Sequence, residues 1–206
     1  MAHGAFGNIG GVNYAFCMGD WYVWNGVDQP EVPTRSAIGV NQSRRWASFT
    51  DGLSNTLLMS EVKNYQVTIR DCGPFSIVND PQHVPPPEAD PLAVCPEYQG
   101  GGGVFRNAHT QWVEMSVHHN GFTTAWTPNR ATPGGPGLAN PDVDVISVRE
   151  RNGGPTFAAV TSRSFHPGGV MSLLADGSVR FVPQTIDGSV WRALGTVAGG
   201  EVIAGG

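Results

Sequence analysis

Lysine, long apolar runs and paired cysteines are all scarce in this sequence of 206 residues. Lys63 is the only lysine, and 12 basic residues stand against 17 acidic ones, for a formal net charge of −5. Binding to nucleic-acid phosphates needs a basic patch, so we expect no nucleic-acid partner. No apolar run approaches the roughly 18 residues of a membrane helix, so we expect no membrane span.

Only three cysteines are present, Cys17, Cys72 and Cys95, and none forms a Cys-x-x-Cys pair, which argues against a structural zinc site. A disulfide between Cys72 and Cys95 would close a loop of about two dozen residues and stabilise the fold by roughly 3 kcal/mol on the chain-entropy model. Two unpaired thiols are the alternative. The disulfide favours an oxidising compartment.

Glycine and proline are abundant, with 28 and 16 residues, while charged residues make up only 14%. This composition is typical of a turn-rich β-protein rather than of low-complexity disorder. The length suits one domain, so we predict a single β-rich domain over residues 1–206 with an α+β, β-dominated fold. The Pro- and Gly-dense stretch at about 79–103 is predicted to be a long surface loop.

A β-hairpin is predicted near the end of the chain, where Asp176 and Gly177 separate two β-prone runs. A two-residue type I′ turn at this pair would place Leu174 opposite Val179. Pro183 should end the second strand because it cannot donate a hydrogen bond to the ladder. After it, residues 189–195 are predicted to form one or two helical turns.

The same hairpin bears on a candidate catalytic group. Ten extended residues at about 3.3 Å each separate His166 from Asp176 by roughly 30 Å, so these two cannot form a pair. The returning strand should instead bring residues 184–187 towards His166. A Ser-His-Asp grouping of Ser164, His166 and Asp187 is therefore possible, although there is no Gly-x-Ser-x-Gly elbow. The alternative is that His166 is a hydrogen-bonding residue at the strand entry.

Carboxylates suggest a second hydrolytic chemistry. Glycoside hydrolysis would need two carboxylates to converge to about 5–9.5 Å, and the candidates are Glu61, Glu114, Glu150 or an aspartate. Together with the serine grouping, this makes a hydrolase acting on a polysaccharide or an ester the alternative function.

Histidines crowd the first half of residues 109–126, an aromatic stretch that we predict to be β-strand. Alternation in a strand puts Glu114 and His118 on one face, and His109 and His119 on the other. Glu114 and His118 could share a zinc or copper ion with a third ligand from elsewhere. The spacing does not match a His-Glu-x-x-His helix, so hydrogen-bonded strand histidines are the alternative.

Calcium is the cofactor that the acidic loops favour. Asp142, Asp144 and Asp176 lie in or near predicted turns, where carboxylates can converge as oxygen ligands. Aspartates in turns also bond their own backbone, which is the alternative for each of them.

Tryptophans are the candidate ligand-binding residues. Trp21, Trp24, Trp112 and Trp126 could form a flat aromatic platform for sugars or for a partner protein. The alternative is that they fill the core of a thin β-domain.

Four segments occur in an order that resembles one family. They are Asn13-Tyr14 with Gly19-Asp20, Thr50 through Thr56 with Glu61, His109-Thr110-Gln111-Trp112 through Pro128-Asn129, and Ser164 through Gly169 with Asp176-Gly177. The sequence is similar over residues 8–203 to the mainly planctomycete family known as domain of unknown function 1559, whose C-terminal His-x9-Asp-Gly signature corresponds to His166, Asp176 and Gly177.

The resemblance implies a β-rich, pseudopilin-like head with an antiparallel sheet, located outside the cytoplasm, with calcium in its loops. It also implies a structural or binding role towards other pseudopilin-like subunits, a secreted substrate or cell-surface glycans. Family members usually begin with a prepilin-type leader and a long apolar helix. This sequence starts in Gly-rich, strand-like residues, so we expect it not to enter a filament by that route. This sequence also has Glu114-Met115 at two positions where we expect its relatives to have Asp-Gly.

Overall fold

The computed structural model describes residues 10–27, 32–71, 84–87, 89, 103–132 and 142–201. Within those ranges the chain forms ten strands and two α-helices, which confirms the α+β, β-dominated class. The strands are β1 (Tyr14–Gly19), β2 (Tyr22–Trp24), β3 (Leu57–Glu61), β4 (Gln66–Arg70), β5 (Gly103–Ala108), β6 (Gly121–Thr123), β7 (Val143–Ile146), β8 (Thr156–Ala159), β9 (Gly169–Leu174) and β10 (Val179–Pro183). The helices are α1 (Val117–Asn120) and α2 (Gly188–Gly195).

The strands form two five-stranded sheets. The first, called here the hairpin sheet, has the order β10-β9-β3-β1-β6, and the second sheet has the order β2-β8-β7-β4-β5. Most strand pairs are antiparallel, but β1 pairs with β6 and β4 pairs with β7 in parallel. Both sheets are therefore mixed rather than purely antiparallel.

The hairpin of β9 and β10 lies where it was predicted, but the predicted register is wrong by one residue. Val179 faces Leu173 rather than Leu174. The backbone N–H of Leu174 bonds the carbonyl of Ser178, and Gly177 takes φ +86°. This is a three-residue loop, in which a type I turn is followed by a left-handed glycine, and it needs positive φ only at Gly177. Pro183 ends β10 as predicted.

Helix α2 closes one side of the hairpin sheet. Asp187 caps it by accepting hydrogen bonds from the backbone N–H groups of Ser189 and Val190. The helix buries Trp191 and Leu194 in a cluster with the strand residues of this sheet. The predicted helical segment over residues 189–195 lies within α2.

The strand predicted across the histidine segment is wrong. Only β6 is extended there, and residues Val117–Asn120 form the single helical turn α1. His109 has φ +59°, which interrupts the run that began in β5. The side-chain amide of Asn120 donates to the carbonyls of Trp112 and Glu114, so the chain folds back on itself instead of extending.

Cys17 is a buried free thiol, and burial raises its pKa to about 12. The predicted disulfide between Cys72 and Cys95, and most of the predicted loop at about 79–103, lie outside the described residues. Among the helices that the structure describes, none has the length and apolar character needed to cross a bilayer.

Candidate functional site

The turn before β9 presents an imidazole beside a carboxylate. His166 Nε2 lies 3.1 Å from Glu61 Oε1, and Glu61 Oε2 accepts a 2.7 Å hydrogen bond from the backbone N–H of Met171. The His166 side chain is 59% exposed, and that of Glu61 is 12% exposed. Glu61 reaches His166 because β3 pairs with β9, which sequence spacing alone does not reveal.

The other two members of the predicted serine grouping have structural hydrogen bonds. The hydroxyl of Ser164 donates to the carbonyl of Gly169 at 2.6 Å and accepts from the backbone N–H of His166 at 3.0 Å. Asp187 caps α2. Among the described residues, no hydrogen bond joins the side chains of Ser164, His166 and Asp187 to one another. The Ser164 hydroxyl is therefore directed at the carbonyl of Gly169 and not at the imidazole of His166.

The outward side of the hairpin sheet carries a group of apolar side chains. Phe181 lies opposite Met171, and Val179 lies opposite Leu173, which in turn faces Met59 on β3. Facing residues of paired strands project to the same side, so these five side chains share one surface, called here the apolar outer face. Val179 and Phe181 are exposed and the other three are half-buried.

The four predicted tryptophans do not share one exposed surface. Trp21 and Trp126 are buried in a core cluster with residues of the second sheet. Trp24 is half-buried, and Trp112 is 59% exposed. Phe165, next to His166, is an exposed aromatic residue that the prediction missed; it is 90% exposed, with Lys63 Nζ at 4.5 Å from its ring centre.

The three predicted calcium ligands have other partners. Buried Arg163 lies between Asp142 and Asp144, at 3.3 and 3.2 Å from their carboxylate oxygens. Burial raises the pKa of Asp144 to about 6. Asp176 accepts hydrogen bonds from the backbone N–H and hydroxyl of Ser178, and the hydroxyl is the main cause of its lowered pKa.

Glu114, by contrast, meets two histidines, in what we call the histidine cluster. Its Oε1 lies 3.9 Å from His118 Nε2 and its Oε2 lies 3.8 Å from His119 Nε2. One ligand atom from each residue can be chosen so that all three lie within 4.8 Å of one another. The structure therefore places Glu114 close to His118, while the predicted sharing of a metal ion stays a prediction. His119 was missed because a strand would have put it on the opposite face.

Both imidazoles of the histidine cluster are held neutral. Burial lowers the pKa of His119 to about 3 and that of His118 well below its ordinary value, and the charge of Arg70 adds to the shift in each case. Neither ring nitrogen of His118 has a hydrogen-bond partner among the described residues, and Nδ1 of His119 has none there either. Buried polar atoms are usually paired, so this cluster is chemically incomplete.

Comparison with known proteins identifies the family. A family model described as a protein of unknown function (DUF1559) matches residues 18–189, which is most of the chain. No curated protein and no solved structure shows significant similarity to the sequence. The extent of the family match shows that the chain belongs to the DUF1559 family of proteins of unknown function.

Proposed function

We propose that the protein is a non-enzymatic binding protein of the extracytoplasmic space, resembling a pseudopilin head, and that it docks a sister subunit. The observation that carries this proposal is the apolar outer face. A contiguous apolar surface on a soluble domain is characteristic of a protein–protein contact. The side chains of Met59, Met171, Leu173, Val179 and Phe181 form such a surface.

The same face is bounded by a sheet edge. Among the described residues, β10 pairs with β9 alone, so its other side can accept hydrogen bonds from a further strand. Addition of a strand from a partner is a common mode of recognition. An edge with apolar side chains suits another protein chain better than a glycan, whose hydroxyl groups require polar partners.

The alternative, a hydrolase acting on a polysaccharide or an ester, requires more rearrangement. The Ser164 hydroxyl would have to leave the carbonyl of Gly169 and turn towards the imidazole of His166. A substitution of His166 by alanine tests this directly. A hydrolase would lose turnover of a glycan or ester panel while its melting temperature stayed the same.

The docking proposal is tested by the self-association of the purified protein. Sedimentation velocity over a wide range of concentrations should show dimers or larger species for the unaltered chain. Phe181→Glu should weaken this association at least tenfold, because it places a charge on the apolar outer face, next to the sheet edge. Val104→Glu is the matched control, since Val104 is an exposed apolar residue on β5 of the second sheet.

A chain that stays monomeric at every concentration would contradict docking of a sister subunit. Equal weakening by Phe181→Glu and Val104→Glu would contradict the assignment to this face. Thermal melting with soluble glycans is the complementary measurement, because a glycan-dependent stabilisation lost in Phe181→Glu would assign the face to a surface polymer.

A further inference from the structure

We propose that Glu114, His118 and His119 together bind one divalent transition-metal ion of the zinc class. This inference is independent of the docking role proposed above, because the histidine cluster is formed by the segment around α1 and not by the apolar outer face.

The distances within the histidine cluster suit a shared ion. Ligand atoms that bind tetrahedral zinc at about 2.0–2.1 Å lie about 3.4 Å from one another. The two carboxylate–imidazole distances here are 3.9 and 3.8 Å, too long for hydrogen bonds and only a few tenths of an ångström longer than that spacing. Glu114 is 23% exposed and precedes α1, and its Oε1 also accepts a 3.2 Å hydrogen bond from the hydroxyl of Ser116.

The histidines themselves indicate a missing partner. His118 is completely buried, with its Nε2 directed at Glu114 and both ring nitrogens without a hydrogen-bond partner among the described residues. A buried polar group without a partner destabilises the fold. An ion between the imidazole and the carboxylate would satisfy Nε2 and would also explain why three potential ligands converge in a buried place.

Neighbouring residues hold the three ligands in position. Glu150 Oε1 accepts a 2.9 Å hydrogen bond from the backbone N–H of Val117, the first residue of the turn that carries both histidines. The Asn120 amide holds the Glu114 loop against the same turn, through the carbonyls of Trp112 and Glu114. Such fixing of ligands by a surrounding shell is typical of built metal sites.

The donor set indicates the class of metal. Two neutral imidazole nitrogens and one carboxylate oxygen suit zinc, cobalt, nickel or copper, whereas calcium and magnesium prefer oxygen ligands throughout. Arg70, Arg149 and Arg151 add positive charge near the histidines, but Arg149 is paired with Asp71, Arg151 is 54% exposed at 4.0 Å from Glu114 Oε2, and Glu114 contributes a negative charge to the site itself. The local charge therefore does not exclude a cation.

Cobalt(II) is the probe that we would use, because its visible spectrum reports the number and type of its ligands. The full chain should carry His3→Ala and His83→Ala, since these two histidines lie outside the described residues. We expect one cobalt ion per chain, displaced by one equivalent of zinc and unaffected by excess calcium. Glu114→Gln and His119→Ala should each lower the affinity at least 100-fold.

Two controls keep the test specific. His166→Ala and Glu61→Gln remove the members of the other histidine–carboxylate pair, and each should leave cobalt binding unchanged. Glu114→Gln is the decisive variant because Glu114 is partly exposed and its loss leaves the buried histidines in place.

Three results would overturn the proposal. They are the absence of cobalt binding, equal binding by the Glu114→Gln variant, and an intense sulfur-to-cobalt charge-transfer band. The last would assign the ion to a cysteine instead of to the histidine cluster.

Discussion

Two regions of this protein place imidazoles beside a carboxylate, with opposite results. His166 and Glu61 are in direct contact at 3.1 Å, the imidazole is largely exposed, and the second carboxylate oxygen is bonded to the backbone. In the histidine cluster the imidazoles are buried, the carboxylate stays 3.8–3.9 Å away, and three ring nitrogens have no partner in the described part of the chain.

The difference teaches that burial of the imidazole, rather than the identity of the side chains, decides whether the imidazole needs a further binding partner. An exposed pair is completed by water, so it is stable and contributes little to folding. A buried group that is not paired is costly, so it calls for a further partner. For this reason we assign the metal to the histidine cluster and not to the turn that carries the family signature.

Removal of the proposed metal should have the largest effect. Zinc at 100 times its Kd should stabilise the unaltered protein by about 2.7 kcal/mol. For a chain of this size that corresponds to a rise of roughly 5–10 °C in the melting temperature, reversed by a chelator. Glu114→Gln should lose this rise and Glu61→Gln should keep it, as measured by differential scanning calorimetry. An equal rise in the melting temperature of both variants would contradict the assignment of the metal to the histidine cluster.

Without metal, the buried imidazole of His118 should destabilise the fold. In the presence of a chelator, His118→Leu should stabilise the fold by about 1–3 kcal/mol in urea unfolding, because it removes two unpaired ring nitrogens at similar volume. In the presence of zinc the order should reverse. A His118→Leu variant that is less stable than the unaltered chain in chelator would show that the imidazole is already satisfied.

Asp187 should act as a helix cap and not as the partner of His166. Asp187→Ala should destabilise the protein by about 0.5–2 kcal/mol, because α2 loses a side chain that bonds two backbone N–H groups. Asp187→Asn is the matched control and should cost little, since asparagine caps helices equally well. Thermal melting distinguishes the two, and equal losses would contradict the capping role.

The smallest effect is expected for the contact between His166 and Glu61, in which the imidazole is exposed to water. A double-mutant cycle of His166→Ala and Glu61→Gln should give a coupling energy of about 0.2–1 kcal/mol. The coupling should fall further in 1 M salt, where exposed charges are screened. A coupling energy above about 2 kcal/mol would mean that His166 and Glu61 depend on each other as strongly as buried groups do. That result would contradict the proposed difference between the two regions.

Local signals predicted several features correctly. The Asp-Gly pair marked the hairpin, Pro183 marked the end of β10, and residues 189–195 fell within α2. The family resemblance was also confirmed. Each of these depends on a turn residue, a missing donor or a motif, and these act over a few neighbouring positions.

Features that depend on distant partners were missed. The pairing of β3 with β9 brings Glu61 to His166, although they are separated by more than 100 residues in the chain. The histidine segment looked like a strand by alternation, but contacts from Asn120 and Glu150 bend it into a helical turn, so His119 joins His118 at Glu114. Contacts of this kind override the two-residue alternation of side chains that is typical of a strand.

Composition, turn residues and motif order were sufficient to determine that this chain is a β-dominated member of the DUF1559 family. The tertiary structure alone decided which carboxylate meets which histidine and which of those groups is buried. The physical reason is that desolvation depends on everything packed around a group. Glu61 with His166 and Glu114 with His118 are alike as residue types, but the His166 imidazole is exposed to water while the His118 imidazole is buried, and this burial leaves the second pair in need of a further partner.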